Sequence, residues 1–179
     1  IMYFVSHLAR FMVSPSIAAY EAALDLLRYI YQRRHVGITF GRTTRAPGIN
    51  ITETDMPEIW CDASWGGKEV DPFGGGFIRW RGAAVAWISR KLKFIPLSTC
   101  EAEVAAMCIM LKEGLFVKGI LEDRKGDGAG KRRAMITDSK GGMDVVKNPG
   151  VTKHTAHFAR WLHWARRLYL VKAIEMYLI

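Results

Sequence analysis

The stretch "LSTCEAEVAAMCIMLKEGLFVKGILED", from Leu97 to Asp123, is long enough for a helix of several turns and is apolar on nearly every side. A helix of that kind does not suit a surface; it must be buried in the middle of a fold. The segments around it supply the partners. Before it, "IWCDASW" has strand composition and "GGKEVDPFGGG" is glycine-rich and turn-like. "GFIRWRGAAVAWISRK" reads as two strands turning at Arg81–Gly82. After it come a loop, "RKGDGAGKRRA", and a short strand, "AMIT", that ends at Asp138. A small helix through Met143, Val145 and Val146 stops at Asn148–Pro149–Gly150. "TKHTAHFARWLHWARRLYL" is a second long helix with Phe158, Trp161, Leu162, Ala165, Leu168 and Tyr169 on one face, and "VKAIEMYLI" is a last strand. Three hairpin-linked strands followed by alternation predict an α/β fold of the mixed-sheet, α+β kind, with helices packed on the sheet.

The N-terminal part is organised differently. Pro15 stands at a helix start, where its missing N–H costs nothing. Tyr20, Ala23, Leu24, Leu27, Ile30 and Tyr31 then form one apolar stripe. Gly37 to Phe40 reads as a short strand. The polar, proline-containing "GRTTRAPGINITETDMPE" follows, and the domain boundary falls there: a tail over 1–45, a linker over 46–57 and the main domain over 58–179. The chain opens on Ile1 rather than Met, which fits a fragment of a longer polypeptide.

Charge narrows the partners. Against 17 Asp+Glu the 179 residues carry 26 Lys+Arg, a net +9. That balance suits a polyanion such as nucleic acid, with an anionic membrane surface as the plainer competitor. No uninterrupted apolar stretch approaches the ~18 residues of a membrane span, and the opening "IMYFVSHLARFMV" lacks the marks of a signal peptide. Cys61, Cys100 and Cys108 form no close pair, which supports neither a disulfide framework nor a zinc site and fits a reducing compartment.

The acids carry the chemistry. Asp62 is on the first strand, Asp138 ends the fourth, and Glu101 and Glu103 open the central helix. Carboxylates at strand ends facing a helix start can converge, and hard oxygen donors of this kind suit Mg²⁺ or Mn²⁺. Acids in such places are also common as solvated ends, so layout alone leaves both readings open.

Read together, "CDASWGG", "GGGFIRWRGAAVAWISRKLKFIPLSTCEAEVAAMCIMLKEGLF", "ITDSKGG" and "NPGVTKHTAHFARWLHW" resemble, in order and over roughly residues 57 to 179, the ribonuclease H domain of copia-type LTR retrotransposon Pol polyproteins. Its most specific pieces are the Ser-Thr-x-Glu-Ala-Glu stretch and the Asn-Pro…Thr-Lys-His run; Trp87, Ser89 and Lys91 represent the segment before the helix. The N-terminal "VSHLARFMVSPSIAAYEAALDLLRYIYQRRHVGITFG" is similar to the end of the reverse transcriptase that precedes that domain. The resemblance implies a ribonuclease H-like fold with a five-stranded mixed sheet. It also implies an endonuclease that uses Mg²⁺ or Mn²⁺, two ions in the intact family site, to cut the RNA strand of an RNA/DNA hybrid. Such cleavage leaves a 3′-hydroxyl and a 5′-phosphate. Expected partners are the hybrid and the reverse transcriptase portion of the same polyprotein, without a membrane. The expected setting is intracellular, in a cytoplasmic retroelement particle and in the nucleus.

The family's metal-binding acids run Asp, Glu, Asp, Asp. Asp62 matches the first and Asp138 the third. The superfamily places its Glu before a bulky apolar residue, which fits Glu103-Val104 and not Glu101-Ala102. Local chemistry agrees, because Ser98-x-x-Glu101 has capping-box spacing, with Glu101 expected to reach back to the Ser98 N–H. Asp62, Glu103 and Asp138 are therefore the expected catalytic and metal-binding residues. The family's fourth Asp lies on a helix after the last strand; here the chain ends at "AIEMYLI", which matches that strand, so the final helix is missing and activity is the point to test. Asp144 is expected to be solvated, and Glu175 could face either way. His154 and His157, at i and i+3, lack zinc-ligand companions. Arg79, Arg81, Arg90, Lys91 and Lys93, with the Lys131–Arg133 run, are candidate phosphate contacts; Trp161 and Trp164 read as core. An integrase-like order, with the Glu last, does not fit. A nucleic-acid-binding remnant without activity is the alternative function.

Overall fold

A computed structural model of the chain describes residues 1–41, 57–66, 71–125, 133–148, 150 and 152–179. It divides into two units, Ile1–Thr39 and Phe40–Ile179. The expected linker, 46–57, lies outside the described residues except for Pro57.

The first unit has two helices, α1 (Met2–Leu8) and α2 (Ile17–Gln32), joined through a single 3-10 turn. Ser16 caps α2, its Oγ accepting from the Ala19 N–H at 3.2 Å. No residue of these helices is buried. The apolar stripe of α2 is real as a pattern, yet Tyr20, Leu27, Ile30 and Tyr31 stay exposed.

In the second unit, β1 (Glu58–Ser64), β2 (Phe73–Trp80) and β3 (Ala83–Lys91) form an antiparallel meander. The β2–β3 turn is made by Arg81 at φ 49° and Gly82 at φ 80°, the paired positive-φ geometry that matches the twist of a two-residue hairpin. Helix α3 (Thr99–Lys125) then crosses to β4 (Arg133–Thr137), and α4 (Lys140–Lys147) with α5 (Ala159–Leu170) leads to β5 (Ile174–Leu178). The sheet order is β3-β2-β1-β4-β5, with β4 parallel to both its neighbours. Parallel neighbours need long crossovers, and the helices provide them. The mixed five-stranded sheet expected from the sequence is the one observed.

Only the N-terminal half of α3 fills the centre; contrary to the expectation of a helix buried all round, Leu115, Phe116 and Ile120 of its C-terminal half are exposed. Val104 to Leu111 are all buried, and all but Ala106 share one core with Ile59, Cys61, Ile78, Met135, Leu162 and Ile174. Each large side chain of that set contributes about 1.5–3 kcal/mol on burial. Trp161 and Trp164 pack against the same core, as read from the sequence. Strand β4 is buried along its whole length; Ala134 and Ile136 form a second, small cluster with Trp60 and Tyr177.

Two expectations need correction. Gly37–Phe40 is not a strand: Gly41 donates to the Arg81 carbonyl at 3.2 Å, and one such bond makes no ladder. Phe40 instead sets its ring edge-on to Trp80 at 6.3 Å. The "GGG" run is not a turn but the interior of β2. A Cβ at Gly76 would overlap the Trp60 carbonyl oxygen of β1, so the close approach of the two backbones demands glycine there. In urea titrations, Gly76→Ala is expected to cost about 2–3 kcal/mol. Gly119→Ala, where an added Cβ on α3 meets nothing, should instead stabilise by about 0.5–1 kcal/mol.

Candidate metal centre

Three elements deliver one carboxylate each. Asp62 lies near the C-terminal end of β1, paired across the ladder with Gly75. Because β1 and β4 run parallel, their C-terminal ends share one edge of the sheet, and Asp138 follows directly on β4. Its neighbours hold it there. Ser139 donates its N–H to Thr137 Oγ1 at 3.1 Å, and the Ser139 Oγ caps α4 by accepting from Gly142 at 3.1 Å. Glu103 comes from the first turns of α3. A Cβ at Gly142 would stand 2.8 Å from the Met107 methyl and 3.4 Å from the Glu103 Cβ. That glycine lets α4 close onto α3 beside the site, a role its sequence context did not advertise.

Asp62, Glu103 and Asp138 each offer an oxygen, and these oxygens lie within 4.8 Å of one another. The two aspartates are exposed and the glutamate is half-buried. Burial, followed by the charges of Asp62 and Asp138, pushes the Glu103 carboxyl up to about 7, against a partial offset from a hydrogen bond to the Ala63 backbone. Its Oε2 is buried with no hydrogen-bond partner, and among the described residues no Lys or Arg pairs with any of the three acids. A divalent cation fits this arrangement: it would neutralise mutually repelling hard oxygen donors and satisfy the orphaned Oε2.

The neighbouring acid does something else. The Glu101 N–H donates to Ser98 Oγ at 3.1 Å, completing one half of the expected capping box. The other half differs. The Glu101 carboxylate accepts from the Leu97 N–H at 2.6 Å rather than from Ser98, binding the residue before the cap. His157 Nε2 approaches the same oxygen at 3.2 Å. Glu101 is thus buried and structurally engaged, and His157 is its partner rather than half of a zinc pair with the exposed His154. No spacing rule in the sequence pointed to the His157–Glu101 contact.

The other candidates separate cleanly. Asp144 is exposed, and Glu175 accepts from the Tyr177 hydroxyl at 2.7 Å within β5. Arg79 is bound to Glu58 at 2.7 Å and Lys91 to Asp71 at 2.7 Å. Arg133 is buried, donating to the Ala173 carbonyl at 3.4 Å, so it is no phosphate contact. Arg81, Arg90 and Lys93 are exposed; Lys131 and Arg132 lie outside the described residues. All three cysteines are free, and burial pushes the Cys61 thiol up, with Glu103 adding to it. No helix among the described residues is long and apolar enough to cross a membrane.

With this geometry in hand, relatives give it a context. The chain is 36% identical over 106 residues, 58% of its length, to the putative transposon Ty5-1 protein of Saccharomyces cerevisiae. It is 26% identical over 166 residues, 92% of its length, to the retrovirus-related Pol polyprotein from transposon TNT 1-94 of Nicotiana tabacum. It spans 32% and 12% of the lengths of these relatives. No family profile matches it. Among solved structures, the N-terminal ribonuclease H domain of a Mycobacterium tuberculosis protein, fused to maltose-binding protein, superposes with a TM-score of 0.50. The match covers 69% of this chain and 83% of that one at 14% identity. The fold is that of ribonuclease H domains, and the sequence relatives are retrotransposon proteins.

The raised Glu103 has a consequence for stability. Between about 4.5 and about 7 the folded state holds a proton that the unfolded chain has released, so stability declines as pH rises through that window. Melting curves recorded with a chelator should show Tm falling across it, with Glu103→Gln flattening the slope and Mg²⁺ restoring Tm at pH 7. Glu101→Gln should lower stability by about 1 kcal/mol, the worth of a helix cap.

Proposed function

We propose that this chain is a ribonuclease H of the copia retrotransposon type, a divalent-metal-dependent endonuclease that cuts the RNA strand of RNA/DNA hybrids. The observation that carries the reading is the convergence of Asp62, Glu103 and Asp138 from three elements of a ribonuclease H fold. The kinship with retrotransposon proteins supports a nuclease role. Residues 58–179 are then the nuclease domain and residues 1–45 the end of a reverse transcriptase. The match to the tobacco Pol polyprotein over 92% of the chain supports that pairing. The partners would be the hybrid and the polymerase portion of the same polyprotein, inside an intracellular retroelement particle.

Asp62, Glu103 and Asp138 would hold Mg²⁺ or Mn²⁺. Bound there, the ions supply a nucleophilic water at neutral pH and neutralise charge at the leaving oxygen. The chain's own contribution is position. The parallel ends of β1 and β4 set the two aspartates side by side, open to solvent and to a phosphate. The half-buried Glu103 comes at them from α3, less hydrated and harder to ionise, which favours its engagement with a cation over water. Exposed Arg81, Arg90 and Lys93 add sequence-blind affinity for the phosphate backbone.

The test is cleavage of an end-labelled RNA/DNA hybrid in Mg²⁺ or Mn²⁺. Asp62→Asn, Asp138→Asn and Glu103→Gln should each lower the rate by ~10²–10³-fold or more, matching several kcal/mol of lost metal stabilisation, while hybrid binding persists. Glu101→Gln should keep most of the activity. Wild-type rates in any of the first three variants would overturn the assignment, and binding without any cleavage by the native chain would identify a silent nucleic-acid-binding remnant.

A further inference from the structure

Beside the carboxylates stands a group the metal chemistry does not use. Trp65 follows Asp62 by three residues, which even fully extended span only about 10 Å, one or two nucleotides from a phosphate held at the acids. Its indole Nε1–H donates to the Pro96 carbonyl at 2.9 Å, so the exit of β1 is tied to the segment that leads into α3. Yet Trp65 is 51% exposed. The hydrogen bond fixes the orientation of an aromatic surface without burying it.

That surface has company. Ile95 and Leu97, on either side of Pro96, are 83% and 71% exposed. Leu97 is held in place by its N–H bond to the Glu101 carboxylate, so this apolar rim is fastened to the same helix start that presents Glu103. The exposed Arg90 and Lys93 lie just upstream on the same stretch of chain. A hydrogen-bonded indole near the carboxylates, with exposed apolar side chains and cations on the adjoining segment, matches the two-part chemistry of a nucleotide: a flat base and sugar to lie against a ring, and a phosphate to meet a cation.

We propose, resting on the hybrid-cutting reading above, that Trp65 with Ile95 and Leu97 forms a nucleotide-stacking subsite that positions the strand flanking the scissile phosphate. Trp65 is a positioning residue: its ring engages substrate next to the cut and leaves the bond-breaking to the carboxylates.

The experiment measures kcat and KM for a defined RNA/DNA hybrid in Mg²⁺, and Kd for the same hybrid in Ca²⁺. It compares the native chain with Trp65→Ala and Trp65→Phe, with Tm as the folding control. Trp65→Ala is expected to raise KM and Kd roughly 5- to 150-fold, the range of one lost stacking contact, with kcat within about twofold. Trp65→Phe keeps a ring and loses only the Nε1–H, so it should recover most of that loss. If Trp65→Ala fails to fold, the comparison of Trp65→Phe with Trp65→Leu carries the same test, because only one of them keeps a ring. Unchanged KM and Kd in a folded ring-less variant, while the native chain cuts, would overturn the subsite and leave the nuclease standing. Equal losses in the Phe and ring-less variants would also overturn it, assigning the effect to the Pro96 hydrogen bond. A native chain that neither binds nor cuts the hybrid would sink both.

Discussion

The start of α3 is the constraint on which the rest depends. Successive residues on a helix are rotated by about 100°, so moving the first turn by one residue would swing Glu103 away from Asp62 and Asp138. Two hydrogen bonds oppose this, one from the Glu101 N–H to Ser98 Oγ and one from the Leu97 N–H to the Glu101 carboxylate. His157 reaches the same carboxylate from the segment before α5. The acid nearest Glu103 in sequence is thus the one that sets its register. The "EAE" pair divides its labour accordingly: Glu101 fixes the helix and Glu103 faces the other carboxylates.

This arrangement sets stability against chemistry. A half-buried glutamate brought within reach of two aspartates, with no Lys or Arg of the described residues paired to it, is held in an unfavourable charge state. The apolar packing of α3 supplies the force that keeps it there. Val104 to Leu111 are anchored against β1 and β2, and Gly142 allows α4 to close over the same region. Packing thus holds together three like-charged groups that would repel one another in solution.

Much of this was legible in the chain, for identifiable reasons. Helix α3 shows itself through its length and apolar run, although only its first half is buried and Leu115, Phe116 and Ile120 are exposed; the hairpin shows itself through Arg81–Gly82, a turn with a specific backbone demand. Asp62 and Asp138 stand at strand ends, where period and boundary coincide. What escaped depends on contacts between distant segments. Glycines in β2 look like a turn because composition does not reveal that another backbone runs alongside. Arg133 looks like part of a solvated basic run, and only the packing of β4 between its neighbours shows it buried. His157 and Glu101 are more than fifty positions apart, and nothing local connects them. The apolar stripe read on α2 is present, and none of its residues is buried within the first unit.

The sheet order also bears on when the site can exist. The meander β1-β2-β3 and helix α3 are built from neighbours in sequence, and such contacts close early. Asp62 and Glu103 belong to that early part. Asp138 does not, because β4 must first insert beside β1 in a parallel pairing that bridges the whole meander and α3, a slow kind of closure. Strand β5 then seals the other edge of β4. On a growing polypeptide the first two carboxylates therefore emerge well before the third can join them. Until that last pairing forms, Glu103 has one neighbouring charge fewer to oppose its ionisation, so the three-carboxylate cluster is completed only as a late step of folding.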